Sequence, residues 1–345
     1  MGPPVVPIVD IHTHIHGREA TRIYDEARRL YGVARTYSMT QLAAASEVRD
    51  LLGDSVRFIA IPNWSDADRV NAHGAGYIRT IERFRSEFGS RVLKIWASPR
   101  LRDLIPEGDG AADLREIDSP ARVRVCEAGE ALGMMFMVHV ADPDTWFATK
   151  YADAAVYGTK RDQYRGLERM LDRFTAPWIA AHFGGWPEDL AFLDEMLTRH
   201  PNLYIDTSAT KWMVRELSRH PREELVGFLT KWRGRVLFGS DIVATEDHLR
   251  PKKATTSPMA DLADSPESAL ELYASRYWAL RVMLETTYDG ESPIADPDLM
   301  MVDPQTHDAM SAPRLRGLSL PADLLADLYA GAADRVVGAW ERDHP

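Results

Sequence analysis

Short β-branched runs alternate with stretches of 3.6-residue periodicity along most of the chain, the pattern of parallel βαβ units. The runs predict strands at Val5–Ile11, Val33–Tyr37, Arg57–Ile61, Val92–Trp96, Met134–Val140, Trp178–Ala181, Leu203–Asp206 and Val236–Phe238. Between them, apolar positions recur at helical spacing: Ile78, Ile81, Phe84 and Phe88; Leu167, Met170, Leu171 and Phe174; Leu190, Leu193 and Leu197. The seven steps from Ile8 to Leu237 average about 33 residues, the size of one βα unit. Eight such units predict an α/β fold of the (β/α)8 barrel type, which needs roughly 250 residues. No glycine-rich dinucleotide turn or phosphate loop follows any strand, which argues against a doubly wound nucleotide-binding sheet.

After Asp241 the pattern changes. Residues 245–319 are rich in Pro, Asp and Ser, with one long helical segment at about Pro266–Thr287. The closing barrel helix is expected at Pro321–Trp340, where Leu324, Leu325, Leu328 and Val336 form an apolar stripe. The chain therefore reads as one domain, 1–345, with 245–319 inserted between strand eight and the last helix as a lid or an oligomer contact, a homodimer being the expected state.

Composition narrows the partners. In 345 residues there are 41 basic and 52 acidic side chains, a net charge of −11. That field has the wrong sign for a nucleic-acid or anionic-membrane binder, so a small-molecule substrate is expected. Cys126 is the only cysteine, so intramolecular disulfides and thiolate metal clusters are excluded. Met1-Gly2-Pro3-Pro4 lacks the basic start of a signal peptide, and the longest apolar stretch, Met134 to Val138, falls far short of the ~20 residues of a membrane span. A cytoplasmic location is expected.

The chemistry gathers at strand ends. Asp10-Ile11-His12-Thr13-His14 closes the first strand, and alternation along an extended backbone lets His12 and His14 project into one pocket, a half-site for a divalent metal. His139 closes the fifth strand, followed by Asp142, Pro143 and Asp144. His182 closes the sixth and leads into Phe183-Gly184-Gly185, and Asp241 closes the eighth in Phe238-Gly239-Ser240-Asp241. Four histidines and a carboxylate in register with C-terminal strand ends occupy the positions where a barrel assembles its active site.

With these residues the chain resembles the amidohydrolase superfamily, in its amidohydrolase-related branch typified by aminocarboxymuconate-semialdehyde decarboxylase. The likeness runs from Ile8 to about Asp241 and resumes in Pro321–Trp340; 245–319 has no counterpart in it. The resemblance implies that His12, His14, His139 and Asp241 are metal ligands, and that His182 is either the acid/base residue of a one-metal site or a ligand of a second ion. It also sets Lys94 at the position of a lysine that two-metal members carbamylate to bridge their ions; a contact to a substrate anion or a structural ion pair is the alternative. Imidazole-rich ligation favours Zn²⁺, with Mn²⁺, Fe²⁺, Co²⁺ and Ni²⁺ as substitutes and one or two ions in all. Asp241 would take a proton from metal-activated water and His182 would steer or protonate the substrate. The implied reaction is hydrolysis of a C–N or C–O acyl bond; non-oxidative decarboxylation of an unsaturated or aromatic acid is the alternative.

Further residues are expected around the pocket. Trp64, Trp96, Trp146, Trp186 and Trp212 lie at or just past strand ends and suit the wall of a ring-binding pocket. Arg100, Lys150, Lys160 and Arg161 sit in loops on the same side, where a substrate carboxylate would be held. Asp206 is placed to orient a ligand. His16 and His73 read as partly exposed loop residues, and His200, His220, His248, His307 and His344 as surface residues.

Overall fold

The computed structural model describes residues 1–105, 108, 110–251 and 262–345. The strands are β1 Ile8–Ile15, β2 Val33–Ser38, β3 Val56–Ala60, β4 Val92–Trp96, β5 Met135–His139, β6 Trp178–Ala180, β7 Leu203–Asp206, β8 Val236–Leu237 and β9 Ile242–Ala244. Asp289–Glu291 and Arg314–Arg316 add a small antiparallel hairpin. All eight expected strands are present, and β9 is an addition. The expected first strand is displaced: it starts at Ile8 and runs to Ile15. Pro7 has no N–H to give a ladder, and pairing begins where Ile8 N–H reaches Gly32 O at 2.9 Å. The far end is prolonged because Thr13, His14 and Ile15 pair with β9. His12 and His14 thus lie within the strand rather than beyond it.

The chain forms two compact units. The first comprises Met1–Phe58, Thr207–Ala295 and Ala312–Arg335. Here β9, β1, β2 and the start of β3 are parallel neighbours, with His14 opposite Val243, Asp10 opposite Thr36 and Thr36 opposite Val56. Nearly every side chain of β1 is buried, as in a parallel strand covered on both faces. The helix Arg18–Leu30 packs against the helix Pro266–Glu285. The latter opens on a Ser265 capping box with Pro266 in its first turn, which satisfies amides the helix would otherwise leave open. Tyr273, Tyr277, Leu280, Met283 and Leu284 of that helix are buried. Residues 252–261 of the expected insertion lie outside the described residues.

The second unit comprises Ile59–Asp206, Asp296–Ser311 and Val336–Pro345. The end of β3 with β4, β5, β6 and β7 forms a parallel ladder in sequence order, so each connecting helix returns the chain to the next strand. The helix Pro120–Ala131 lies against β4 so closely that a Cβ at Gly129 would stand 2.2 Å from Leu93 Cδ2. Glycine there permits the approach.

The expected closing helix is helical but not regular. Asp327–Gly331 and Asp334–Gly338 are π turns inside it, while Leu324, Leu325, Leu328 and Val336 are buried as their spacing predicts. Among the described residues, no helix is long and apolar enough to cross a membrane.

Candidate metal centre

In the first unit three expected ligands come together. Oδ1 of Asp241 stands 3.4 Å from Nε2 of His12 and 3.3 Å from Nε2 of His14. Donors held at ~2.1 Å around one tetrahedral ion are about 3.4 Å apart, so the three fit a single divalent cation. His12 is buried; His14 and Asp241 are partly exposed.

Asp241 reaches this position through a left-handed backbone, φ 59°, a conformation Asp tolerates better than most residues. Its N–H bonds to His12 O at 2.8 Å. Beneath it lies Asp10, fully buried. Its Oδ1 accepts from the N–H groups of His12 and Ser240, both at 3.1 Å. Its Oδ2 accepts from Ser240 Oγ at 2.6 Å and from the Tyr277 hydroxyl at 2.9 Å. Burial pushes the Asp10 carboxyl up to about 6, and those four bonds pull the other way.

In the second unit His139 and His182 come together. Nδ1 of His139 and Nε2 of His182 are 3.1 Å apart. The other His139 nitrogen, Nε2, is 2.9 Å from Asp142 Oδ1. Burial raises the Asp142 carboxyl, but the attraction of His139 and hydrogen bonds from His139, Ser98 and Tyr151 outweigh it and hold the group below its ordinary value. An ionised carboxylate only accepts, so His139 carries its proton on Nε2 and presents the Nδ1 lone pair. The Trp96 indole N–H reaches that same Nδ1 at 3.1 Å. A carboxylate on one ring nitrogen fixes the tautomer and orientation of the imidazole. His182 is also left-handed, φ 59°, and its backbone N–H donates to Asp206 Oδ1 at 2.9 Å.

The remaining expected residues divide. Lys94 is buried on β4, where its N–H donates to Tyr77 Oη at 3.1 Å and its carbonyl accepts from that hydroxyl at 2.7 Å. Trp96 joins the site through His139, and Trp64 packs edge-on against Trp96 with centroids 5.3 Å apart. Trp146 gives its N–H to Asp298 at 2.8 Å, and Lys150 Nζ lies 3.6 Å above its ring. Trp186 stacks on Tyr164 beneath Lys160, whose ammonium is bound by Asp144 and Glu188. Lys160 is therefore buried and paired rather than a loop cation awaiting a substrate. Arg161 lies over Phe192, Arg100 is exposed, and Trp212 is buried.

Three histidines depart from expectation. His73 is wholly buried at the end of the helix Arg69–His73, edge-on to Trp64, and neither ring nitrogen has a partner. Burial first, then the nearby Arg122 and Arg69, push it down to about 3. His200 and His248 are buried as well; His248 Nδ1 meets the Tyr273 hydroxyl at 3.0 Å. Helical periodicity locates apolar faces and gives no sign that a histidine shares one. His16, partly buried, is pushed down to about 4 by burial and the charge of His14.

Asp10, Asp142, Ser240 and Tyr277 went unassigned in the sequence. Asp10 stands two residues before His12 and so on the same strand face, a signal that was available. Tyr277 lies 267 residues from Asp10, and no local pattern connects them.

A family model described as amidohydrolase matches residues 9–338. No curated protein sequence matches the chain. Among solved structures, the chain is similar to an uncharacterized TIM-barrel protein from Bordetella bronchiseptica at 13% identity, covering 97% of this chain and 99% of that one with a TM-score of 0.49. It is similar to 5-carboxyvanillate decarboxylase from Novosphingobium aromaticivorans, solved with manganese, at 12% identity over 98% of this chain and 96% of that one, TM-score 0.44. A zinc-bound amidohydrolase from Burkholderia multivorans matches at 14% identity over 96% and 99%, TM-score 0.41.

Proposed function

The chain belongs to the amidohydrolase family, whose model spans residues 9–338, and on that premise we propose that it is a metal-dependent (β/α)8-barrel hydrolase. Its substrate is a small organic molecule, carboxylate-bearing, with a C–N or C–O acyl bond to be cleaved. The observation that carries this reading is the ligand spacing: one Asp241 oxygen lies 3.3 and 3.4 Å from the two imidazole nitrogens of the H-x-H pair.

His12, His14, His139 and Asp241 are the proposed ligands. They would hold a divalent ion, Zn²⁺ from the imidazole-rich set, which when bound would supply Lewis-acid chemistry and lower the pKa of water toward about 7. Asp241 takes the proton from the attacking water, its left-handed backbone holding the carboxylate in place. His182, fixed at its amide by Asp206, passes a proton to the leaving group. Asp142 keeps the His139 tautomer that presents Nδ1.

Decarboxylation is the second reading, favoured by Trp96 beside His139 and by Trp64 edge-on to Trp96, since an edge-to-face indole pair suits a flat ring. In that reaction the bond between ring carbon and carboxylate breaks, its electron pair stays on the ring carbon, and His182 or Asp241 protonates it as CO₂ leaves.

Elemental analysis of wild type and Lys94→Ala, purified without chelators and with bicarbonate, tests the choice alongside assays of acyl hydrolysis and CO₂ release. Two ions falling to one or none, with turnover of an ester, amide or lactone, is the outcome expected of a hydrolase with a carbamylated Lys94. One ion untouched by the substitution, with CO₂ released from an aromatic acid and no hydrolysis, overturns hydrolysis in favour of the second reading.

A further inference from the structure

We propose that Asp10 is the positioning residue of the His12–His14–Asp241 group, a clamp that sets where Asp241 stands relative to His12, and that Tyr277 is its brace. The inference rests on the metal-centre reading and adds to it a part for the helix Pro266–Glu285.

The four donors on Asp10 come from three separate stretches of chain. One is the amide of His12 itself; two belong to Ser240, the residue before Asp241; the fourth is the hydroxyl of Tyr277. A single buried carboxylate therefore ties the strand bearing one ligand to the turn bearing another. The turn is bonded within itself by Ile242 N–H to Ser240 Oγ at 3.2 Å and to the strand by Asp241 N–H to His12 O at 2.8 Å. Those bonds satisfy single amides, whereas Asp10 joins both sides and Tyr277 through one rigid group. The left-handed backbone at Asp241 makes such a tether necessary, because a residue in that region stays there only when its surroundings over-determine it.

Aspartate suits this place better than its amide. All four neighbours donate, and a carboxylate offers acceptors on both oxygens with no hydrogen of its own. Asparagine at position 10 would set an N–H₂ group against two hydroxyls and force at least one to turn away. Tyr277 is held in turn: its hydroxyl is 2.9 Å from that of Tyr24, which is 3.0 Å from Thr36 Oγ, itself 2.9 Å from Thr13 Oγ. The chain of hydroxyls returns to β1 between the two histidines, so the brace closes on the strand it supports.

The test measures Zn²⁺ affinity of the full-length apoprotein by competition with a chromophoric chelator, and the visible spectrum of the Co²⁺-loaded form. Asp10→Asn is expected to weaken Zn²⁺ binding about tenfold or more, the usual effect of removing a group that orients ligands, and to shift the Co²⁺ bands. Tyr277→Phe should weaken it less, and the double variant should lose less than the two single losses combined, because both act through one carboxylate. A residue that merely stabilised the fold would lower the melting temperature and leave the Co²⁺ bands in place; that result overturns the clamp. If Asp10→Asn does not fold, Ser240→Ala removes one of the four bonds by itself, and an unchanged Zn²⁺ affinity and Co²⁺ spectrum in that variant overturn the clamp equally. Failure of the underlying reading looks different: the wild type would then bind no Zn²⁺, and His12→Ala would match it.

Discussion

The two histidine groups share a plan and differ in how it is executed. In each, a left-handed non-glycine residue carries a side chain of the proposed site, Asp241 in one and His182 in the other, both at φ 59°. In each, a buried carboxylate close in sequence to a histidine organises the group. Asp142 does so directly, bonding the outer ring nitrogen of His139 and choosing its tautomer. Asp10 never touches a histidine ring; it holds the His12 amide, the Ser240 turn and Tyr277. The first device controls which nitrogen is basic, and the second controls where the backbone places its side chains. A carboxylate three residues after a histidine can curl back to the ring. One two residues before it along a strand stands on the same face, and Asp10 there accepts from the His12 amide.

Removing a ligand from either group should have the largest effect. His12→Ala and His139→Ala are each expected to lower kcat/KM by about a thousandfold or more, since Lewis-acid catalysis goes with the ion. Assays at saturating Zn²⁺ would check it, and full activity in either variant would take that histidine out of the centre. The carboxylates come next. Asp142→Asn should cost about 10- to 100-fold in metal affinity or turnover. Because it acts on the ring, the pH profile of turnover should move with it, whereas Asp10→Asn should weaken binding and leave that profile in place. Matching pH profiles in the two variants would erase the distinction between them.

The smallest effect belongs to His73, outside both groups. Its folded pKa is depressed to about 3, against about 6.5 in an unfolded chain. The unfolded chain therefore takes up a proton that the folded one refuses. The stability this neutral histidine allows is complete above pH 6.5, falls as pH drops through that value, and continues to fall to about 3. At pH 5 the loss is about 2 kcal/mol. His73→Phe should flatten the stability curve between pH 6.5 and 5 in urea unfolding, and raise stability at pH 7 by about 1 kcal/mol because two unpartnered buried nitrogens disappear. An unaltered slope would mean that His73 is protonated in the folded protein.

Much of this was legible along the chain, and for specific reasons. Strands β3 to β8 are legible because buried parallel strands are short, mostly apolar runs with little alternation; β2, Val-Ala-Arg-Thr-Tyr-Ser, carries that pattern only in part. The long helical segment expected at about Pro266–Thr287 ends two residues earlier, at Glu285, and its start carries the Ser265-Pro266 capping signal. The start of β1 was misjudged because Val5 and Val6 look like strand, while Pro7 denies them a ladder. Its end was misjudged because pairing with β9 is set by a segment more than two hundred residues away. The buried His73, His200 and His248 read as exposed because polarity predicts exposure on average, and a neutral imidazole is the polar group most easily carried into a core.

By itself, then, the sequence determined the kind of structure and the ligand types: parallel βα units, H-x-H on the first strand, further histidines and an aspartate at later strand ends. Those are local properties, written in periodicities of two and 3.6 and in the chemistry of single side chains. Tertiary structure alone decided which nitrogen of His139 carries the proton, that Asp10 would reach both His12 and Ser240, and that Tyr277 would arrive from a distant helix to complete its shell. The first depends on how Asp142 and the Trp96 indole are held against the ring, and the other two on groups 230 and 267 residues apart being held within 3 Å or so of one another. Hydrogen bonds at that range are set by packing of whole elements, which no window of neighbouring residues records.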